Sequence, residues 1–261
     1  MKRKMAFFIR AMIFLLSSFG SFCFAASSIL VWPIYQVIES DENSSALWLE
    51  NKGNAPVGLQ IRIMSWKQID FQDRYAEQRN VIATPPFMTL EPGKRNMIRL
   101  IRVNPIPANT EQAYRIIIDE ISTPYQKDAP QMGLQFQMRY LLPLFLDGEG
   151  IWTHSRPDKR RTNVQPTLPL LSWRISALGG KSYLYVRNRG LVHARLSNVY
   201  WSADPSGKGS RIKVTDGFLG YVLPGQEMRW PLPTGISTPG AAMQLFTHLI
   251  DITDPILIKR E

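Results

Sequence analysis

The side chains able to make or break bonds are few and poorly placed for it. Three histidines, His154, His193 and His248, are scattered along the chain, without the short spacings by which one element presents paired metal ligands. Asp119 and Glu120 close the run Tyr114-Arg-Ile-Ile-Ile118 and are the pair to weigh for acid/base work. Neighbours in a strand point to opposite faces, so these two carboxylates cannot flank one substrate. A Gly-rich phosphate loop, a Gly-x-Ser-x-Gly elbow and a paired-histidine motif are all missing. The single cysteine, Cys23, stands in the N-terminal leader, so thiol catalysis and cysteine–metal sites drop out. The expectation is a protein that is not an enzyme and holds no cofactor or metal.

What remains is the chemistry of the backbone itself. In Gly133-Leu-Gln-Phe-Gln-Met-Arg-Tyr-Leu-Leu-Pro-Leu-Phe-Leu146, Leu134, Phe136 and Met138 alternate with Gln135, Gln137 and Arg139. The stretch then passes into a nearly continuous apolar run from Tyr140. Period-two alternation describes a half-buried strand, and the continuous run describes burial on both faces. Pro143 lacks an N–H and belongs at an edge, a bulge or a strand end. An edge strand with large side chains at every second residue can pair with a partner's strand and insert a row of knobs. From periodicity alone, that row could equally face the protein's own core.

The elements that position this strand follow from the rest of the chain. Lys2, Arg3, Lys4 and Arg10 precede an apolar stretch ending at Cys23-Phe-Ala25, the pattern of a secretory signal peptide over residues 1–25 cleaved after Ala25. No later run is long and apolar enough for a membrane-spanning helix, so stable membrane insertion is not expected. Without the leader the chain holds 27 basic and 21 acidic residues, a balance of +6, and no cysteine for a disulfide. Stability in an oxidising compartment must then come from packing. The one basic run, Asp158-Lys-Arg-Arg161, reads as a solvated linker, and nucleic acid is not an expected partner.

From residue 27 onward β-branched and aromatic runs at 29–35, 45–51, 57–67, 97–102, 113–121 and 133–146 predict strands. Turns at Asn51-Lys-Gly-Asn54, Glu91-Pro-Gly93 and Asn104-Pro105 separate them. The second half echoes the first. Leu184-Tyr-Val-Arg-Asn-Arg-Gly190 matches Leu47-Trp-Leu-Glu-Asn-Lys-Gly53, and Leu223-Pro-Gly-Gln-Glu-Met-Arg229 matches Leu90-Glu-Pro-Gly-Lys-Arg-Asn-Met-Ile-Arg99. Two landmarks in one order at nearly one offset predict an all-β fold of two tandem sandwiches. The polar, Pro-rich stretch 147–169 carries the boundary, giving domains at 26–150 and 151–261.

Val81-Ile-Ala-Thr-Pro-Pro86, Leu90-Glu-Pro-Gly93 and Met97-Ile-Arg-Leu100, in that order, resemble the PapD-like periplasmic pilus (fimbrial) chaperones. Ile29-Leu-Val-Trp-Pro-Ile-Tyr35 and Phe136-Gln-Met-Arg-Tyr140 look closer to the archaic, Csu-type branch. The resemblance implies two immunoglobulin-like domains set at an angle around a cleft, and a periplasmic chaperone working by donor-strand complementation. The edge strand, with Leu134, Phe136, Met138 and Tyr140, would fill the groove of an incomplete pilus subunit until an outer-membrane usher accepts it. The preceding segment 122–132 would be a short loop. Better-known members hold the subunit's C-terminal carboxylate with a cleft Arg and Lys, whose positions here fall near Trp32 and on Pro143. Arg99 and Arg139 are the replacement candidates, with Arg62 and Arg115 behind them. Two rival readings are an exported pilus subunit or adhesin and a carbohydrate-binding module using some of Trp32, Trp48, Trp66, Trp152, Trp173, Trp201 and Trp230.

Overall fold

A computed structural model describes residues 29–121, 137–154, 156, 159, 165–233, 239–240, 242–250 and 252–261. The leader 1–25, the loop 122–132, and Leu134 and Phe136 of the expected donor row lie outside the described residues. Every regular element among those described is a β-strand.

Ten strands make the first unit: β1 (Ile29–Trp32), β2 (Gln36–Ile38), β3 (Ser44–Asn51), β4 (Val57–Ile69), β5 (Gln72–Ala76), β6 (Val81–Thr84), β7 (Phe87–Leu90), β8 (Arg95–Arg102), β9 (Glu111–Ile121) and β10 (Arg139–Asp147). One sheet runs β1-β3-β8-β6; the other runs β2-β10-β9-β4-β5, with β7 also on β4. The stretch expected as one strand over 29–35 is two pieces in different sheets. Pro33 separates them, since a proline cannot donate to a continuous ladder. Pro85 and Pro86 divide β6 from β7 in the same manner. Between the sheets Leu47, Leu49, Ile98 and Leu100 pack on Leu59, Ile61, Ile116, Ile118, Leu144 and Leu146. Each such side chain contributes about 1.5–3 kcal/mol by leaving water.

The second unit comprises β11 (Leu171–Leu178), β12 (Lys181–Asn188), β13 (Ala194–Ser202), β14 (Arg211–Lys213), β15 (Phe218–Val222), β16 (Glu227–Pro231), β17 (Gln244–His248) and β18 (Ile256–Arg260). The path β14-β13-β17-β18-β11-β12-β16, with β15 on β13, folds over Trp173, Leu184, Val186, Leu196, Trp201, Val222, Leu245 and Ile258. β18 joins its two halves, antiparallel to β17 and then parallel to β11.

The internal echo has a structural counterpart. Buried Asn51 donates to Ala55 O and Leu90 O, both at 2.8 Å, and accepts from Gly53 N. Buried Asn188 donates to Val192 O at 2.8 Å and Val222 O at 3.1 Å, and accepts from Gly190 N. The Pro-Gly turns match as well: Gly93 and Gly225 adopt φ of 69° and 72°, the left-handed region a type II turn requires at its third position. One asparagine in each unit thus ties a strand end to the opposing turn.

Of the charge run 158–161 the structure describes Lys159, which is not simply solvated. Lys159 docks on the turn after β2, 3.0 Å from Glu39, 2.8 Å from Asp41 and 3.2 Å from Glu42. Burial works to lower its pKa, but hydrogen bonds to Asp41, Glu39 and Glu42 outweigh it and raise the value. The sequence places those acids more than a hundred residues away, so only the fold creates this strap.

Candidate functional site

β10 is bonded unequally along its two sides. On one side β9 pairs with it antiparallel over its whole length, from Arg139 opposite Asp119 to Asp147 opposite Glu111. On the other side β2 pairs with it parallel only at Leu144, Phe145 and Leu146. Among the described residues, Arg139 to Pro143 therefore have an open outer edge, about 17 Å of ladder at 3.3 Å per residue. Pro143 sits where β2 stops, a position that tolerates a missing N–H because no second strand lies alongside. The strand is neither a free edge throughout nor a central strand throughout: its root is held and its tip is open. The chain leaves the root at Gly148, whose N–H donates to Thr110 O at 2.9 Å. A Cβ there would lie 2.0 Å from Pro107 O, so this exit requires glycine.

The pleat sorts the strand's side chains. Leu144 and Leu146 lie in the core, with Tyr140 and Leu142 packed against it. Leu141 is 44 % exposed on the other face, and Met138, just before the strand, is 45 % exposed. Tyr140 is already half-buried against its own sandwich, its hydroxyl 3.5 Å from Glu120 Oε1. Burial, and then the Glu120 charge, raise its phenol pKa. Asp119 and Glu120 do take opposite faces. Glu120 is buried, while Asp119 on the outer face accepts from Arg62 at 2.7 Å and from Arg139. Those two guanidinium hydrogen bonds outweigh burial and hold the Asp119 carboxyl below its ordinary pKa.

The arginines expected as anchors are not brought together. Arg99 lies on β8, with Cα partners Ala46 and Thr84, exposed on the outer face of the first sheet. Arg139 belongs to the second sheet and is engaged by Asp119, as is Arg62. Arg115 stands apart from all three. It is 9 % exposed, sits on β9 directly opposite Pro143, and lies 3.6 Å over the Trp66 ring and 5.3 Å from the Tyr221 ring. Its ion pair with Asp73 is long, 3.7 Å, and its Nε is buried with no hydrogen-bond partner. Arg115 is the charged residue within the otherwise apolar run Tyr114-Arg-Ile-Ile-Ile118.

Arg115 marks the junction of the two units. Trp66 and Phe145 from the first unit pack with Tyr221 and Leu223 from the second. Gln68 spans the gap with both ends of its amide, donating to Tyr221 O and accepting from Leu223 N, each at 2.9 Å. Beside this contact lies a groove of about 960 Å³ lined by residues that include Lys67, Glu77, Arg79 and Gln112. No group of three or more His, Cys, Asp or Glu able to hold a metal ion occurs among the described residues. Of the seven tryptophans, Trp66, Trp152, Trp173 and Trp201 are buried, and Trp32 and Trp48 stack on each other beneath Arg95. A sugar-stacking platform finds little support in that arrangement.

Comparison with known proteins agrees with this architecture. Residues 34–151 match the family model described as pili and flagellar-assembly chaperone, PapD N-terminal domain. The chain is 31 % identical, at a TM-score of 0.69, to a chain of the CsuC–CsuE chaperone–tip adhesion subunit pre-assembly complex from the archaic Csu pili of Acinetobacter baumannii. That match covers 90 % of this chain and 99 % of the other. The chain belongs to the PapD family of pilus-assembly chaperones. Over 186 residues it is also 27 % identical to the probable fimbrial chaperone YadV of Escherichia coli strain K12, covering 68 % of each chain. The YadV crystal structure shares the fold, with a TM-score of 0.57 at 19 % identity over 88 % of this chain and 96 % of that one. The chaperone is thus all-β, with two tandem immunoglobulin-like sandwiches. Its family is periplasmic and non-enzymatic, and holds subunits rather than transforming them.

Proposed function

We propose that this chaperone works in the periplasm after loss of the leader 1–25, its two sandwiches dividing at 150/151, and lends the open tip of β10 to an incomplete pilus subunit. The observation that carries the reading is the one-sided pairing of Arg139 to Pro143. A subunit lacking a strand can continue the ladder there regardless of its sequence. Leu134, Phe136 and Met138 supply the row that enters its groove, with Tyr140, half-buried against its own sandwich, at the base of that row. Burying three such side chains contributes roughly 5–9 kcal/mol before ordering costs. The complexed subunit is then passed to an outer-membrane usher.

For the subunit's C-terminal carboxylate we assign Arg115 ahead of the exposed Arg99 and the Asp119-bound Arg139. It stands opposite Pro143 of the donor strand, and its Nε has no hydrogen-bond partner among the described residues. A guanidinium so placed can take a carboxylate bidentately. Co-expression with the pilus subunits tests the function: one-to-one soluble complexes are expected. Phe136→Arg should abolish them while leaving the melting temperature nearly unchanged. A large drop in melting temperature would instead make Phe136 a core residue and remove it from the donor row.

A further inference from the structure

The junction carries a buried relay that strand donation does not use. His193, in the turn between β12 and β13, is 6 % exposed, and Glu111, the first residue of β9, is 8 % exposed. The Glu111 carboxylate binds His193 twice, accepting from its backbone N–H at 2.8 Å and from Nδ1 at 2.7 Å. A carboxylate only accepts, so Nδ1 carries the proton. On the other side of the ring Nε2 shares a hydrogen bond with the Tyr35 hydroxyl at 2.6 Å. The imidazole also lies flat on Phe145, with ring centroids 3.5 Å apart and planes 1° from parallel.

Each partner belongs to a different segment of the first unit. Tyr35 precedes β2, Glu111 begins β9, and Phe145 stands in β10 within the short ladder that β2 and β9 share with it. Phe145 is two residues beyond Pro143, where the open tip ends. We propose that His193 is a positioning residue for strand donation: from the second sandwich it clamps the root of β10, so that the open tip meets the subunit in one orientation. The inference rests on the donor-edge reading. An apolar side chain would fill this space as well. Two hydrogen bonds and a stacked plane fix three segments relative to one another, which shape alone does not. His154, edge-on to Tyr35 at 4.9 Å, and Arg195, in the small cavity beside His193, complete the surroundings.

The test uses the full-length chaperone with one subunit of its own pilus and compares His193→Ala, Tyr35→Phe and His193→Gln with wild type. Subunit affinity and amide exchange in the free protein are both measured. His193→Ala is expected to weaken capture at least about tenfold, the scale of a lost charge-assisted hydrogen bond. It should also speed exchange at residues 144–146 more than in β4 or β8. His193→Gln, which keeps a donor for Glu111, should recover most of both effects. If His193→Ala does not fold, Tyr35→Phe removes a single hydroxyl and is read against the same two expectations. Wild-type exchange at 144–146 and wild-type capture in the readable variant would overturn the proposal. So would exchange that rises evenly across both sandwiches without rescue by glutamine, the mark of an ordinary core residue. Failure of wild type to capture any subunit would defeat the donor-edge reading instead, and exchange in the free protein would still judge His193.

Discussion

Replacing Arg115 by methionine separates stability from binding, because the two respond to different atoms. On the stability side, the guanidinium 3.6 Å over Trp66 contributes about 1–2 kcal/mol as a desolvated cation–π contact. The 3.7 Å pair with half-exposed Asp73 adds no more than about 1 kcal/mol. Against these stands the buried Nε without an acceptor, which costs about 1–3 kcal/mol and vanishes with the substitution. Methionine also fills much of the same volume, and exchanging a buried ion for an apolar side chain is often neutral. The terms nearly cancel, so the melting temperature should shift by only a few degrees. On the binding side the proposed bidentate contact to the subunit's carboxylate has no such compensation, and its loss should weaken capture roughly ten- to hundredfold.

The assay is a double-mutant cycle. Wild-type and Arg115→Met chaperone are each titrated with a native subunit and with one whose terminal carboxylate is displaced by a one-residue extension. If Arg115 holds that carboxylate, the two changes are strongly non-additive, since either alone removes the same contact. Additive losses, or undiminished capture by Arg115→Met, would refute the assignment. A collapse in stability comparable to a core truncation would show that the cancellation is wrong.

Other perturbations check separate parts of the argument. Asp119 has a folded pKa below its unfolded one, so the stability it contributes is complete above the ordinary value of 3.8 and is lost as the pH falls through the lowered value. Melting curves of wild type and Asp119→Asn should therefore differ at neutral pH and converge in acid; a constant difference at all pH values would remove the ion-pair explanation. Lys159→Met removes the cation that Glu39, Asp41 and Glu42 share, while Arg156 stays 3.1 Å from Glu42, and should lower stability by about 1 kcal/mol at neutral pH, as measured by denaturant titration. Because the lysine pKa is raised, that difference should persist up to its ordinary value of 10.5 and fade above it. Gly148→Ala forces a Cβ against the Pro107 carbonyl and should destabilise by about 1–3 kcal/mol, with exchange rising first at the β10 root. An alanine variant as stable as wild type would mean the exit from β10 can shift.

Strand alternation carried the all-β class, and the internal echoes carried the two tandem sandwiches. Alternation left open which way the 133–146 row faces, and the subunit-binding reading of that stretch came from the family resemblance. Alternation reports which face of a strand is buried, and Asn-basic-Gly and Pro-Gly landmarks report turns, because both depend on residues a few positions apart. Asn51 and Asn188 could thus be paired as echoes before their hydrogen bonds were seen. Pro33 did not keep 29–35 from reading as one strand, and nothing local shows that the chain crosses to the opposing sheet there and at Pro85–Pro86. The arrangement at the junction was illegible for a different reason. Glu111 meets His193 across 82 residues, Gln68 meets Leu223 across 155, and Lys159 finds Glu39 across 120. No local pattern encodes such pairs, since they form only when segments far apart in the chain are brought together by the fold. The same holds for the ranking of the arginines: Arg62, Arg99, Arg115 and Arg139 are alike as letters. Tertiary structure alone gave Arg62 and Arg139 to Asp119, put Arg99 on the far sheet, and left Arg115 buried beside the donor strand with a donor to spare.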